Sequence, residues 1–112
     1  MPPDDTPIAL GRFAEPAVLV LVSLSDGPRH GYAIMIDVER FSGLTMGPGT
    51  LYAVLARLER AGLVEAMASD DRRRPYRLTA SGSTALAEHL GDMDRFVKVG
   101  RARLRAPDRG RA

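Results

Sequence analysis

Thr50, Ala53 and Arg57 recur at helical spacing, so on an α-helix they lie on the same side. A hydroxyl, a methyl group and a guanidinium are among the groups that read base edges in the major groove of DNA. Arg60 extends this side toward the end of the same segment. Because many helices with outward arginines are only solvated, the spacing alone leaves both interpretations open, and the flanking sequence must decide between them.

The element that must carry these residues is a short helix that begins at Pro48 and ends just before Gly62. Proline suits the first turn of a helix, and glycine suits the left-handed position after its last turn. Leu51, Leu55 and Leu58 fall at i, i+4 and i+7 and form one apolar stripe. We therefore expect the leucines to face a core and the residues that could contact DNA to face outward.

Two basic clusters could attract a polyanion, although the formal net charge of the chain is only +2. Arg72, Arg73 and Arg74 form the first. The second lies between residues 95 and 112, where seven basic residues accompany a single acid, Asp108. Together they give the electrostatic footprint expected of a nucleic-acid-binding protein. Each cluster taken separately is also compatible with a solvated surface or a loose tail.

Two further helices are predicted ahead of Pro48. Residues 17–24 are apolar almost throughout and rich in β-branched residues, so a buried strand is an alternative. The Asp-Gly-Pro sequence that follows favours a buried helix. Residues 30–41 have the pattern of an amphipathic helix, and Gly43 provides its end. The short link from Gly43 to Pro48 predicts a helix-turn-helix.

After Gly62 the apolar residues alternate with a period of two, which predicts strands at residues 63–68 and 76–79. Residues 69–75 would form the polar tip between them and carry the arginine cluster. Since a two-stranded hairpin is not stable alone, it must lie against the helices. The predicted fold class is mainly α with a small β-hairpin: a winged helix-turn-helix plus a C-terminal dimerisation helix.

The last helix is expected to begin at a cap formed by Thr79 or Ser81. Its apolar residues are spaced 4, 3, 4, 3 and 4 apart, which is typical of a coiled-coil seam. The alternative is that this helix packs back onto its own domain. The spacing favours a dimer interface, for which the candidate residues are Leu86, Leu90, Met93, Val97 and Leu104, with Gly100 also in the seam.

The 112 residues suffice for one domain with a modest core. We expect a flexible leader at residues 1–10, a winged helix-turn-helix at 11–79, the dimerisation helix at 80–104 and a disordered basic tail at 105–112. The leader lacks the pattern of a signal peptide, and the apolar run is far shorter than the ~20 residues of a membrane span. With no cysteine in the chain, a cytoplasmic location and no membrane association are expected.

Residue patterns for catalysis are missing from the sequence. Gly47-Pro48-Gly49 lacks the lysine of a phosphate-binding loop. His30 and His89 fall on separate predicted helices, and without cysteine they make no recognisable metal-ligand set. We therefore predict no enzymatic activity, no metal and no cofactor.

Four strings, in this order and at this spacing, resemble the PadR family of transcriptional regulators from about Pro16 to about Leu104. They are Gly-Pro-Arg-His-Gly-Tyr at 27–32, Pro-Gly-Thr-Leu-Tyr at 48–52, Arg-Leu-Glu with Gly-Leu at 57–63, and Arg-Arg-Arg-Pro-Tyr leading to Leu-Thr-Ala-Ser-Gly at 72–82.

The resemblance implies a homodimeric repressor that binds double-stranded DNA at a palindromic operator and is released by a small molecule or another signal. A winged-helix module for protein–protein interaction without DNA binding is the alternative. The ring of Tyr52 could contact DNA or pack into the core. The expected DNA-binding residues are Arg29, His30, Tyr32, Thr50, Tyr52, Ala53, Arg57, Arg72, Arg73 and Arg74.

Two features bear on the effector and on the wing. Phe13, Met93, Phe96 and Val97 could line a pocket for a small aromatic or apolar effector, although residues of these types at this spacing are more often plain dimer core. The acidic pair at residues 70–71 replaces a glycine that is common in the family, and it lowers the expected affinity of the wing for phosphate.

Overall fold

The computed structural model describes residues 15–69 and 73–107, which contain four helices and three short strands. Their order is α1 (Pro16–Leu24), β1 (Arg29–His30), α2 (Gly31–Ser42), α3 (Pro48–Arg60), β2 (Val64–Ala66), β3 (Pro75–Leu78) and α4 (Ala80–Arg105). The expected leader, Phe13, the acidic pair at 70–71, Arg72 and the residues after 107 lie outside the described residues.

The apolar sides of α1, α2 and α3 meet in one core. Leu24 of α1, Ile34 of α2 and Leu51 of α3 are almost completely buried. Leu86 joins this cluster from the first half of α4. The apolar run at residues 17–24 is therefore a helix, as predicted, and it lies against α2, α3 and α4. Burial on several sides explains why its sequence shows so little periodicity.

The predicted ends of α2 and α3 are confirmed. Gly43 has φ = 76°, and its amide donates a hydrogen bond to the carbonyl oxygen of Glu39. Gly62 has φ = 79° directly after the C-cap of α3. Both glycines are in the left-handed region, which other residues rarely adopt. Pro48 lies in the first turn of α3. The end of α2 and both ends of α3 are therefore at the residues that the sequence predicts.

The sheet has three strands in the order β1-β3-β2, all antiparallel. The prediction of a two-stranded hairpin was therefore incomplete, and the prediction that α2 begins at His30 was wrong. Arg29 and His30 pair with Tyr76 and Pro75 as a short edge strand. A strand of two residues is too short to show alternation, so nothing in the sequence distinguishes it from the start of the helix.

Helix α4 is the longest element, with 26 residues. The side chain of Thr79 accepts a hydrogen bond from the amide of Gly82, so Thr79 is the cap and Ser81 is not. The first half of α4 packs on the domain, whereas the second half extends away from it and the molecule measures 64 Å along its longest axis. None of the described helices has the length and apolarity to cross a membrane.

The fold class is thus confirmed as mainly α with a small antiparallel sheet, in a winged helix-turn-helix arrangement followed by a long C-terminal helix.

Candidate nucleic-acid interface

Helix α3 separates its buried and exposed sides as the spacing predicted. Leu51, Leu55 and Leu58 are buried in the core. The opposite side is exposed to solvent and combines a hydroxyl, a methyl group and two guanidinium groups. Its residues are Thr50, Ala53, Arg57 and Arg60.

A cavity of about 190 Å³ opens beside α3, between the N-terminus of α2 and strand β3. All three tyrosines of the chain line it. Five residues predicted to bind DNA converge on this cavity although they come from three different parts of the sequence. Its lining residues are His30, Gly31, Tyr32, Tyr52, Arg73, Arg74 and Tyr76.

Tyr52 forms the wall of the cavity that α3 contributes. Its ring lies against Gly31, whose hypothetical β-carbon would stand 2.8 Å from Cζ of Tyr52 and closer still to its hydroxyl oxygen. The side chain is 49% exposed. One side of the ring therefore packs against α2, while the rest faces the cavity and solvent.

The N-terminus of α2 gives the cavity a positive electrostatic character. The side chain of the N-cap residue, His30, makes no capping hydrogen bond, so the first amides of the helix keep their donors free of a side-chain cap. The helix dipole adds a partial positive charge at this end. With Arg73 and Arg74 in the same wall, the cavity is suited to an anion.

Tyr76 belongs to a sequence motif for which no separate role is predicted, and the structure places it in the lining of the cavity. Burial, and then the charges of Glu59 and Tyr52, raise its pKa above the ordinary value. The phenol therefore stays protonated at neutral pH and can act as a hydrogen-bond donor. The signal that could have identified it is its position in the strand immediately after the arginine cluster.

His30 also contributes an unused polar atom. Among the described residues, its Nδ1 is a buried side-chain atom without a hydrogen-bond partner. A buried polar atom without a partner destabilises the folded protein. A hydrogen-bonding partner that reaches it, such as water or a bound group, removes that cost.

Arg29 is the predicted site residue that the structure directs elsewhere. Its guanidinium donates hydrogen bonds to the carbonyl oxygen of Ser23 and, at 2.5 Å, to the carboxylate of Asp26, and it lies 3.8 Å from Asp37. The hydrogen bond with Arg29 lowers the pKa of Asp26 and raises that of Arg29. Arg29 is thus held by partners at the end of α1 and is not in the cavity lining.

The predicted seam of α4 is divided between two environments. Leu86 is buried in the core of its own chain, and Met93 is half-buried. Leu90, Val97 and Leu104 are exposed. Of the residues proposed to line an effector pocket, Phe96 is 80% exposed beside the seam, and Phe13 lies outside the described residues.

Known proteins resemble this chain both in sequence and in structure. The model of the family described as "Transcriptional regulator PadR-like family" matches residues 20–88, more than half of the chain. The chain is 44% identical over 85 residues to a 37.1 kDa protein in transposon TN4556 of Streptomyces fradiae, covering 76% of this chain and 25% of that protein. It is 40% identical over 82 residues to transcriptional regulator Rv3488 of Mycobacterium tuberculosis, covering 70% of this chain and 76% of that protein.

A further relative is transcriptional activator GvpE2 of Halobacterium salinarum, which is 32% identical over 81 residues. The chain covers 40% of its length, so it spans well under half of this relative and of the transposon protein. Among solved structures, a PadR family transcription regulator from Clostridium difficile R20291 superposes with a TM-score of 0.71 at 26% identity. That alignment covers 79% of this chain and 96% of the other.

Proposed function

The chain belongs to the PadR-like family of transcriptional regulators, and from this we propose that it is a cytoplasmic, homodimeric repressor that binds a palindromic operator. Members of this family are regulators rather than enzymes. The proposal of DNA binding is supported by one observation: α3 has an exposed polar side, and beside it lies a cavity lined by Arg73 and Arg74.

In this proposal α3 is the recognition helix and lies in the major groove. Arg57 and Thr50 come nearest the bases, and the methyl group of Ala53 allows close approach of the helix to the groove. The wing arginines contact phosphates or enter the minor groove. Arg72 belongs to this group by sequence, although it lies outside the described residues.

The cavity beside α3 would hold one phosphate of the DNA backbone. The first amides of α2 and the guanidinium groups of Arg73 and Arg74 supply charge and donors, and Tyr52 and Tyr76 supply hydroxyls. A phosphate held there fixes the angle at which α3 enters the groove, because α2 and α3 pack against each other through Gly31 and Tyr52.

Dimerisation doubles these contacts, since two winged helices can occupy half-sites about one helical turn apart. The exposed apolar residues of α4 supply the surface. Leu90→Asp would place a charge in the seam and should give monomers with strongly reduced operator affinity. Ala102→Asp, on the opposite side of α4, is the matched control and should leave the dimer intact. Wild-type protein that sediments as a monomer at micromolar concentration contradicts the dimer.

The test of sequence-specific DNA binding is selection of bound duplexes from a random library with the purified protein. Enrichment of a two-fold symmetric sequence supports the proposed operator. If no duplex is enriched, the alternative holds, namely a winged-helix module that interacts with other proteins.

Repression is tested separately, because one relative is named an activator and another simply a regulator. A promoter that carries the selected operator should be transcribed less in vitro when the protein is added. An increase in transcription would make the chain an activator.

We also propose release by a small apolar or aromatic effector bound near Met93, Phe96 and Val97, with Phe13 as a further candidate. Such a ligand must bind one arrangement of the dimer more tightly than the other, because equal affinity shifts no equilibrium. Operator binding titrated with a panel of apolar aromatics, for wild type and Phe96→Ala, tests this. Release of the wild type alone supports the pocket, whereas no release by any compound leaves a constitutive regulator.

A further inference from the structure

The side chain of Arg29 connects three elements of the fold. Its guanidinium donates hydrogen bonds to the carbonyl oxygen of Ser23 in the last turn of α1 and, at 2.5 Å, to the carboxylate of Asp26 in the turn that follows. Its second terminal nitrogen lies 3.8 Å from the carboxylate of Asp37 on α2. The side chains of Arg29 and Asp37 are only 25% and 21% exposed, so solvent screens their attraction less than it would at an open surface.

The charge of this cluster is unfavourable for a contact with DNA. One guanidinium faces two carboxylates, those of Asp26 and Asp37, so the three groups together carry an excess of one negative charge. A phosphate that approached Arg29 would compete with one carboxylate and be repelled by both. The guanidinium also lies at the C-terminal end of α1, where the helix dipole favours a cation and the carbonyl of Ser23 has no partner within the helix. The hydrogen-bonding groups of Arg29 are therefore directed into the protein.

The backbone of Arg29 belongs to β1, a strand too short to be stable by its pairing alone. It has two residues, lies at the edge of the sheet and pairs with β3 only. Arg29 stands opposite Tyr76 in this pairing, and the next residue, His30, is the N-cap of α2. Tyr76 and His30 both line the cavity beside α3. The position of β1 therefore determines where two walls of the cavity stand.

We infer that Arg29 is a positioning residue of the nucleic-acid interface and does not itself contact DNA, an inference that rests on the DNA binding proposed above. Its side chain attaches β1 to the end of α1 and to α2. Through β1 it sets the positions of His30, of the first amides of α2 and of Tyr76 around the cavity. Gly31, the first residue of α2, lies against the ring of Tyr52, so the same attachment holds the cavity in place relative to α3.

The salt dependence of operator binding separates a positioning residue from a phosphate contact. Arg29→Ala should weaken operator binding about tenfold, as expected when the support of a binding group is removed, and should leave the slope of log K against log salt unchanged. Arg73→Ala is the reference for a phosphate contact, since its slope should become shallower by about one unit. Arg40→Ala removes the same charge from the exposed side of α2 and measures the effect of long-range charge alone. A slope for Arg29→Ala that is shallower by about one unit overturns the inference.

Removal of a partner of Arg29 gives a test in which the two roles have opposite signs. Asp26→Ala removes the carboxylate that holds the guanidinium most closely. If Arg29 were a DNA contact, this change would release it and strengthen operator binding. Loss of a negative charge also favours DNA binding in itself, so the control is Glu39→Ala, at an exposed carboxylate that forms no ion pair within the described residues. Asp26→Ala should bind the operator more weakly than Glu39→Ala, and equal or tighter binding overturns the inference.

Hydrogen exchange of the free protein measures the attachment of β1 without DNA. In Arg29→Ala the amides of residues 29–32 should exchange faster than in the wild type, whereas those of β2, which pairs with the other side of β3, should be unchanged. This local change together with weaker operator binding at a constant slope supports the inference. Unchanged exchange at residues 29–32, or unchanged operator affinity, overturns it.

Two further outcomes are distinguishable from these. If Arg29→Ala loses protection throughout the chain, that variant is unfolded, and the comparison of Asp26→Ala with Glu39→Ala decides the role of Arg29. A wild type that binds no duplex removes the proposed function itself, while the exchange measurement still shows whether Arg29 holds β1 in place.

Discussion

The ring of Tyr52 lies directly over Gly31, so close that a β-carbon on Gly31 would stand 2.8 Å from Cζ of the ring and 3.2 Å from a methyl group of Leu51. The first residue of α2 and the exposed side of α3 are therefore in van der Waals contact at the edge of the cavity. Glycine is required here for space rather than for backbone conformation, because Gly31 is helical and not among the glycines with positive φ.

Gly31→Ala should push the ring of Tyr52 outward and lower the free energy of unfolding by about 1–3 kcal/mol, as expected for overpacking. Urea denaturation measures the stability, and fluorescence polarisation with operator DNA measures the affinity, which should also fall. Gly49→Ala is the control, because nothing lies within 4 Å of a β-carbon at that position. Unchanged stability and affinity in Gly31→Ala would show that Tyr52 does not lie on Gly31.

A second glycine gives a stronger prediction. A β-carbon on Gly82 would collide with the backbone carbonyl oxygen of Leu63 and stand 2.9 Å from a methyl group of Leu78. That backbone cannot yield easily, since the same carbonyl accepts a hydrogen bond from the amide of Thr79.

Gly82→Ala should therefore destabilise the protein by about 3 kcal/mol or more, at the upper end for overpacking. Gly91→Ala makes the same change in the same helix outside the predicted seam, where only a guanidinium nitrogen of Arg95 lies within 4 Å, at 3.9 Å, and it should be neutral or stabilise by up to about 1 kcal/mol. Thermal unfolding of the two variants side by side checks this. Equal melting temperatures would mean that α4 does not approach Leu63 as closely as described.

Much of the fold could be predicted because the ends of its helices are determined by nearby residues. Pro48, Gly43 and Gly62 mark helix ends through backbone preferences that act within a few residues, and the leucine stripe of α3 follows from helical geometry alone. The strand at 29–30 could not be predicted. Its conformation depends on pairing with Pro75 and Tyr76, which lie more than 40 residues away in the sequence.

The site likewise combines features set by nearby residues with features that depend on residues distant in the sequence. The residues of α3 were placed correctly on its exposed side, because their spacing determines which side they share. The cavity was not foreseen, since it requires α2, α3 and β3 to meet in space. For Arg29 the sequence suggests a phosphate contact, because it is a basic residue in a motif typical of DNA-binding proteins. The structure instead shows its guanidinium held by Asp26 and Ser23.

The Arg29–Asp26 pair predicts a pH dependence of stability. The hydrogen bond and charge of Arg29 lower the pKa of Asp26 below its ordinary value of 3.8 in the folded state. The stabilisation is therefore present above pH 3.8 and is lost as the pH falls through the lower, folded-state pKa.

Asp26→Asn should accordingly be less stable than wild type at neutral pH, and the difference should vanish at low pH. Because Asp26 is exposed, the difference is small and screened by salt, so unfolding is best measured at low ionic strength. In an Arg29→Ala background the substitution of Asp26 should have little further effect. A difference that persists at a pH where Asp26 is protonated in both states would contradict the assignment.

The last prediction separates base readout from phosphate contact. Arg57 lies on the exposed side of α3, whereas Arg73 lines the cavity beside it. Arg57→Ala should cost ~1–3 kcal/mol of binding free energy and relax the preference at one base pair, because a guanidinium that reaches a base edge discriminates between bases. Arg73→Ala should weaken binding to all duplexes alike. It should also make the negative slope of log K against log salt shallower by about one unit, because the loss of one phosphate contact means that about one counterion fewer is released on binding.

Arg95→Ala is the matched control, since it removes the same charge from the outer half of α4, far from α3, where Arg95 pairs with Asp92. Affinities are measured at several salt concentrations for the selected operator and for single-base variants of it. The expected result is a changed base preference in Arg57→Ala only and a changed salt slope at constant base preference in Arg73→Ala. If Arg57→Ala keeps both the affinity and the base preference of the wild type, the exposed side of α3 is not the surface that reads DNA.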